Sequence, residues 1–293
     1  MSTRLSGSSA TINLEGLDLN WIDNENTEWG FHNISGWHQG ATTIVNQDQR
    51  ITSHGQFAQR GRRGGRVFAI DGWVHADIRL RAAVALQRIE ATLADGGFGV
   101  FTFADDDLGE RWASVQLLDL QLNWNESETF FRYQLQLLAP DPYKYGATST
   151  DSTGFATAPL DTGMVFPLFP NGVMNFGPLA AATQVTVANA GTAEAQVTFT
   201  VTSPGADSGG FVITDVTTGK TITYSGIIPA DGSLVLDGSD GSVTLNGTGD
   251  RLDDTLVQAW PTLLPGVTKS FLFERISGTG APILTASVTS TFW

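Results

Sequence analysis

Few residues of this chain combine type and spacing in a way that could do chemistry. The densest group is Arg60-Gly61-Arg62-Arg63-Gly64-Gly65-Arg66, four guanidinium groups in seven positions. Glycine permits close backbone approach, so such a run could contact phosphates, or it could meet an acidic surface of a neighbouring protein. It lies between two strand-like segments in an acidic chain, and a solvated hairpin loop is the simpler expectation. The second group is Asp105-Asp106-Asp107-Leu108-Gly109-Glu110. Hard cations want clustered carboxylates, but an EF-hand loop needs glycine at its sixth position, where this run has Glu110. An acidic turn between strands is predicted instead.

His32, His38, His54 and His75 lack the i, i+4 pairing of a helical zinc site and read as ordinary strand or loop residues. The chain has no Walker loop, no nucleophile-elbow Gly-x-Ser-x-Gly and no dinucleotide glycine fingerprint after a strand. No cofactor, metal or catalytic residue is therefore expected. Carboxylates are abundant, yet nothing singles out a glycosidase pair. Tyr224 and Trp260 are the candidate sugar-binding aromatics, with burial in a core as their competing fate.

The elements that must position these residues are mostly strands. Ile12, Leu14, Leu17, Leu19 and Trp21 place apolar side chains near every second position, with a slip at Glu15-Gly16 that suits a bulge. Further β runs lie at 30–37, 50–57, 67–74, 98–103, 113–124 and 129–138. One helix is predicted over 78–94. Asp77 is its expected N-cap, Ile78, Ala82, Ala85, Leu86, Ile89 and Leu93 share one face, and Asp95-Gly96-Gly97 ends it.

The second half of the chain contains no comparable helical stretch. Val185/Val187, Val197/Phe199/Val201, Phe211/Ile213, Ile222/Tyr224, Leu234/Leu236, Val243/Leu245 and Phe271/Phe273 alternate with polar or small residues, punctuated by Asn189-Ala190-Gly191, Thr218-Gly219 and Asp240-Gly241. Seven short strands at this spacing predict an antiparallel sandwich or jelly roll.

Composition bounds the function. The 293 residues, 41% hydrophobic, suffice for about two cored domains. Lys+Arg 16 against Asp+Glu 30 gives a net charge of −14, which disfavours nucleic-acid and anionic-membrane binding. Up to residue 150 there are 12 basic and 18 acidic residues (−6), and beyond it 4 and 12 (−8). The absence of cysteine removes disulfides, zinc-thiolate sites and thiol nucleophiles and fits folding in a reducing cytoplasm. The N-terminus lacks a signal-peptide core, and no run approaches the ~20 apolar residues of a membrane span.

The break between the halves is Ala139-Pro140-Asp141-Pro142-Tyr143-Lys144-Tyr145. Two prolines fix φ twice and remove two donors, so an incoming strand cannot simply continue; Pro140, Asp141, Pro142 and Tyr143 are read as an interdomain joint. The strand-like Phe131–Leu138 running into this joint resembles the domain boundary of siphophage distal tail proteins. So do, in order, Phe166-Pro167-Leu168-Phe169-Pro170, Asn175-Phe176-Gly177, Val187-Ala188-Asn189-Ala190-Gly191-Thr192-Ala193-Glu194-Ala195, Asp215-Val216-Thr217-Thr218-Gly219-Lys220, Leu234-Val235-Leu236-Asp237 and Trp260-Pro261-Thr262-Leu263-Leu264-Pro265-Gly266.

The resemblance implies a mainly β protein. A ring-forming β-sandwich with one helix would occupy 1–145, a linker and first strand 146–170, and an outward galectin-like β-sandwich 171–293. It further implies a non-enzymatic virion protein, assembled in the host cytoplasm into a ring, usually a hexamer in that family, at the distal end of the tail tube. Its partners would be further copies of itself, the tail tube protein, a tail-associated hub or baseplate protein and the receptor-binding protein, with neither specific nucleic acid nor membrane insertion. Arg60, Arg62, Arg63 and Arg66 would then form an inter-subunit contact loop, and six of the eight tryptophans lie before the joint, as ring surfaces would need. The alternative is a monomeric carbohydrate-binding module acting as a tail or cell-surface adhesin, with Tyr224 and Trp260 on its sugar face.

Overall fold

The computed structural model describes residues 3–5, 9–45, 47–50, 53–54, 56–58, 60–124, 127–154, 183–277 and 280–293. The Phe166–Pro170 and Asn175–Gly177 segments, most of the expected 146–170 linker and the start of the expected second domain lie outside the described residues. The chain is mainly β and forms two compact units, Met1–Gly146 with Phe292–Trp293, and Ala147–Thr291. The first unit therefore ends at Gly146 rather than Tyr145, and the last two residues return to it. Residues 147–154 belong to strand Lys144–Gly154 and are assigned to the second unit.

In the first unit, Arg66–His75 is the central strand. It pairs antiparallel with Glu28–Ser35 on one side and Phe130–Ala139 on the other. Its alternation buries Arg66, Phe68, Ile70, Gly72 and Val74 on one face. The long strand Gly109–Asn123 pairs through its first half with Gly99–Asp105 and through its second half with Phe130–Ala139, and Trp112 also pairs with Tyr145. The register shifts between Leu117 and Asp119, and Leu118 is exposed there, as expected where one extra residue bends a strand. One core collects Trp29, Trp37, Phe68, Ile70, Phe101, Phe131, Leu135 and Leu137.

Two local expectations are corrected. Glu15-Gly16 is a two-residue hairpin turn and not a bulge: both have positive φ (48° and 81°), joining Ala10–Leu14 to Leu17–Leu19 with Leu14 opposite Leu17. A turn with both central residues at positive φ matches strand twist, which is why glycine sits there. The helix runs Arg79–Ala91, and Asp77 does not cap it; Ile78 is the N-cap residue and makes no side-chain cap, while the Asp77 carboxylate pairs with Arg81 one turn on. Ala82, Ala85 and Ile89 are buried as expected, but Ile78 is exposed because it precedes the first turn.

Glycine is required where the central strand meets Tyr133. A Cβ on Gly72 would lie 2.3 Å from the Tyr133 ring and 2.4 Å from the Gly30 carbonyl oxygen. The Tyr133 hydroxyl donates to that same carbonyl at 3.0 Å, and burial pushes its pKa far up. The ring fills the space that the missing Gly72 side chain leaves.

The second unit is a sandwich. One sheet has the order Gln184–Ala188, Thr268–Arg275, Phe211–Asp215, Thr221–Tyr224, Thr255–Val257. Facing it, Ile283–Phe292, Thr198–Thr202, Ser233–Asp237, Ser242–Leu245 and Gly249–Asp250 pair in that order. Inward residues from both sheets, among them Val185, Phe199, Phe211, Ile222, Leu234, Phe271 and Leu284, form one core. All seven expected strands are present. Ile283–Phe292 went unpredicted because small residues dilute its pattern: Ala286 and Ser290 share the buried face with Leu284 and Val288.

Asn189 anchors this unit. Its buried amide donates to the carbonyls of Ala193 (2.7 Å) and Leu263 (3.0 Å), and its side-chain oxygen accepts from the Gly191 (2.9 Å) and Thr291 (3.4 Å) amides. The Asn-Ala-Gly turn is thus stitched to two other segments.

Candidate functional site

The cationic run separates into surface and core. Strand Arg62–Arg63 pairs with Thr43–Ile44, and Gln47–Gln49 with Gln56–Ala58, and these four short strands are called the arm. Arg60, Arg62 and Arg63 are exposed. Arg63 already donates to the Ala41 carbonyl (2.7 Å) and lies over the Trp293 ring (5.5 Å). Ile44 and Phe57 on the arm are 58% and 61% exposed.

Arg66 departs from the expected contact loop. It is buried at 3% exposure because it starts the central strand facing inward, and its guanidinium binds the carbonyls of Trp37 (3.1 Å), Gln39 and Pro142 (3.1 Å). It ties the Pro140–Pro142 segment to the unit's core and cannot reach a neighbouring subunit.

Pro140, Asp141, Pro142 and Tyr143, expected as the interdomain joint, lie within the first unit, whose boundary falls after Gly146. Asp141 accepts the Tyr143 amide (3.0 Å) and the Tyr145 hydroxyl, an Asx turn that closes the segment. Burial, reinforced by Asp141, pushes the Tyr145 phenol well up. Tyr143 packs on Trp293 (4.7 Å between ring centroids), and Arg111 lies over Phe292 (4.0 Å).

Lys144 is also 3% exposed. Its ammonium donates to the Trp37 carbonyl (3.0 Å), the same oxygen that Arg66 uses, and sits 5.3 Å from the Trp37 ring centroid. Burial, and then the charges of Arg66 and Arg111, lower its pKa from 10.5 to about 8. Burial and Lys144 likewise lower His38. Sequence gave no warning of this cluster, because lysines and arginines rarely lie inside.

The acidic run is a turn between Gly99–Asp105 and Gly109–Asn123, with Gly109 at φ 74°. The Asp105 side chain accepts the amides of Asp107 and Leu108, both at 2.9 Å, and these bonds lower its pKa. Its oxygen serves the backbone. Among the described residues no three His, Asp or Glu side chains are arranged to hold a metal.

In the second unit the two aromatic candidates part. Tyr224 is fully buried, packs on Phe211 (5.3 Å) and donates to the Ile227 carbonyl (3.4 Å), so it cannot form a sugar face; its position in a two-sheet core decides this. Trp260 is half-buried and lines a cleft of about 180 Å³ with Asp215, Thr218, Lys220, Thr262 and Lys269. Asp215 and Lys269 form an ion pair at 2.9 Å, 7% and 16% exposed. Burial pushes the Asp215 carboxyl up, but donation from Lys269 and from the Thr217 amide outweighs it, and the pKa is lowered.

A family model described as the siphovirus-type tail component, C-terminal domain, matches residues 190–279. No curated protein matches. Among solved structures, the Dit protein of phage SPP1, described as a paradigm of the hub adsorption apparatus in phages infecting Gram-positive bacteria, aligns with TM-score 0.64 at 15% identity, covering 98% of this chain and 100% of that one. That likeness is one of fold. The baseplate of phage P2 in its activated conformation with Ca aligns with TM-score 0.49 at 11% identity, covering 94% of this chain and 97% of that one.

Proposed function

We propose, from the premise that residues 190–279 are the C-terminal domain of a siphovirus-type tail component set within a distal tail hub fold, that this protein is a structural subunit at the tip of a long non-contractile phage tail. In this reading it is a virion protein assembled in the bacterial host cytoplasm. Its copies close into a hexameric ring at the end of the tail tube, and the ring carries the tail-tip hub and receptor-binding proteins. Its role is to join other proteins, without turnover of a substrate. The single observation that carries the reading is the family match over the second unit, and the near full-length likeness in fold supports it.

Ring closure calls for a heterologous contact in which different surfaces of one chain meet. The arm supplies one such surface in the first unit, with exposed Ile44 and Phe57 beside the cations Arg60 and Arg62. Arg62 and Arg60 would meet an acidic surface of the next copy or of the tube protein.

Native mass spectrometry of the intact chain tests this. Six copies are expected, with the Arg60→Glu, Arg62→Glu double variant shifted toward monomer while its far-UV spectrum is unchanged. A protein that stays monomeric both alone and when mixed with a tail tube protein would overturn the ring, and an unchanged hexamer in the double variant would remove the arm from the contact.

A further inference from the structure

We propose that the Trp260 cleft of the second unit binds a single anionic sugar residue, one bearing a carboxylate or a phosphate. The inference stands apart from the ring reading, because it rests only on groups that line one cleft.

Two segments far apart in sequence build it. Asp215–Lys220 is a turn whose backbone closes from the Asp215 amide to the Lys220 carbonyl (2.9 Å), with Gly219 at φ 70°. Ala259–Thr262 brings the indole against the opposite side, and Lys269 rises from strand Thr268–Arg275. The floor is apolar: Phe199, Ile213, Ile222 and Phe271.

The polarity of the cleft is one-sided. Asp215 is its one carboxylate, and both of its oxygens are taken, one by the Thr217 and Thr218 amides at 2.8 and 3.3 Å and the other by Lys269. The Thr262 hydroxyl donates outward to Glu194. The Thr218 hydroxyl accepts the Lys220 amide (3.4 Å), and the remaining side-chain groups are donors. Lys220 is exposed and makes no ion pair among the described residues, the Trp260 indole N–H has no acceptor among them, and the Lys269 ammonium spends one hydrogen on Asp215. An ammonium carries three hydrogens and an indole one, with no acceptor on either. A ligand that satisfies this cleft must be rich in acceptors and negatively charged.

Charge distribution points the same way. From residue 151 onward there are only four basic residues against 12 acidic, and two of the four, Lys220 and Lys269, line this one cleft. A general affinity for anions would not arise from so acidic a unit; a local one does.

Size and shape choose the class. A cleft of about 180 Å³ has room for one small ring. A half-exposed indole offers a flat apolar wall to the C–H face of such a ring, while Lys220 at the rim takes its acid group. A buried ion pair beneath the ring adds little stability by itself, so Asp215 and Lys269 are best understood as holding the ammonium in place.

The test uses the intact protein, reading the indole N–H resonance of Trp260 by NMR, assigned through its disappearance in Trp260→Phe. Probes are glucuronate, glucose 6-phosphate, glucose and inorganic phosphate. Saturable shifts with either acidic sugar are expected, with millimolar affinity. Glucose should bind at least about tenfold more weakly, and Lys220→Gln, an exposed change that leaves the melting temperature unaltered, should weaken the acidic sugars by a similar factor. Response to glucuronate alone or to glucose 6-phosphate alone identifies which acid the cleft prefers. Absence of saturable shifts with both overturns the proposal. Equal binding of glucose removes the anionic requirement, and equal binding of inorganic phosphate reduces the cleft to an anion site without sugar recognition.

Discussion

Replacing Lys144 by methionine should stabilise the first unit near neutral pH and flatten its response to alkali. Lys144 is 3% exposed, and burial with the charges of Arg66 and Arg111 holds its pKa at about 8 against 10.5. At 1.36 kcal/mol per pKa unit, keeping the ammonium charged inside the fold costs about 3 kcal/mol. Methionine fills the same unbranched space without a charge. It forgoes the hydrogen bond to the Trp37 carbonyl, about 1 kcal/mol net, but Arg66 still donates to that oxygen at 3.1 Å. A gain of about 2 kcal/mol at pH 7 remains. The sign of the pH response follows from linkage. Between pH 8 and 10.5 the unfolded chain holds a proton that the folded chain has released, so wild-type stability rises across that window, whereas Lys144→Met lacks the rise. Tyr133 and Tyr145, whose pKa values are raised, oppose the trend only above pH 10, which sets the upper limit of the comparison. Urea unfolding followed by tryptophan fluorescence is the assay, since seven of the eight tryptophans belong to the first unit. Equal pH slopes in the two proteins, or a variant less stable at pH 7, would refute the reasoning.

Gly72→Ala should destabilise the first unit by about 3 kcal/mol or prevent its folding, because the new methyl meets both the Tyr133 ring and the Gly30 carbonyl; a melting temperature within a degree or so of wild type would contradict the packing. Asn189→Ala should cost the second unit about 2–4 kcal/mol by leaving buried backbone groups unpaired, and calorimetry would show the loss in that unit's transition and not in the other's. The lowered pKa of Asp215 means stability present at neutral pH and lost as pH falls through its folded value, below the usual carboxylate range; Asp215→Asn should abolish that part of the acid response. A fragment ending at Gly146 loses Phe292 from Arg111 and Trp293 from Tyr143, so it should melt below the first unit of the intact chain, and equal melting would show these returning residues to be dispensable.

Much of the fold was legible because its cause is local. Alternation along Val67–Val74 or Phe211/Ile213 needs only the period of a strand, and both are strands. The helix was readable from Ala82, Ala85 and Ile89, although its cap was not, since a side chain that could cap can also pair with an arginine one turn away, as Asp77 does. Ile283–Phe292 escaped notice because a buried face of Ala and Ser carries little hydropathy contrast. Trp260 was singled out by residue type, but the groups around it were not. Asp215, Lys220 and Lys269 converge there through strand pairing across a sheet, which no short-range pattern encodes.

By itself the sequence determined that this chain is mainly β with one helix and that it carries no thiol, and its motif order resembles that of siphophage tail proteins. Those properties depend on composition and on neighbours a few residues apart. Only the tertiary structure decided which of the charged and aromatic residues face outward. Arg60 and Arg66 belong to one basic run, yet one is exposed and the other sealed against the Trp37 and Pro142 carbonyls; Tyr224 and Trp260 are both aromatic, yet one is core and the other lines a cleft. The physical reason is that exposure is set by what a strand's two faces are packed against, and that is fixed by partners tens of residues away.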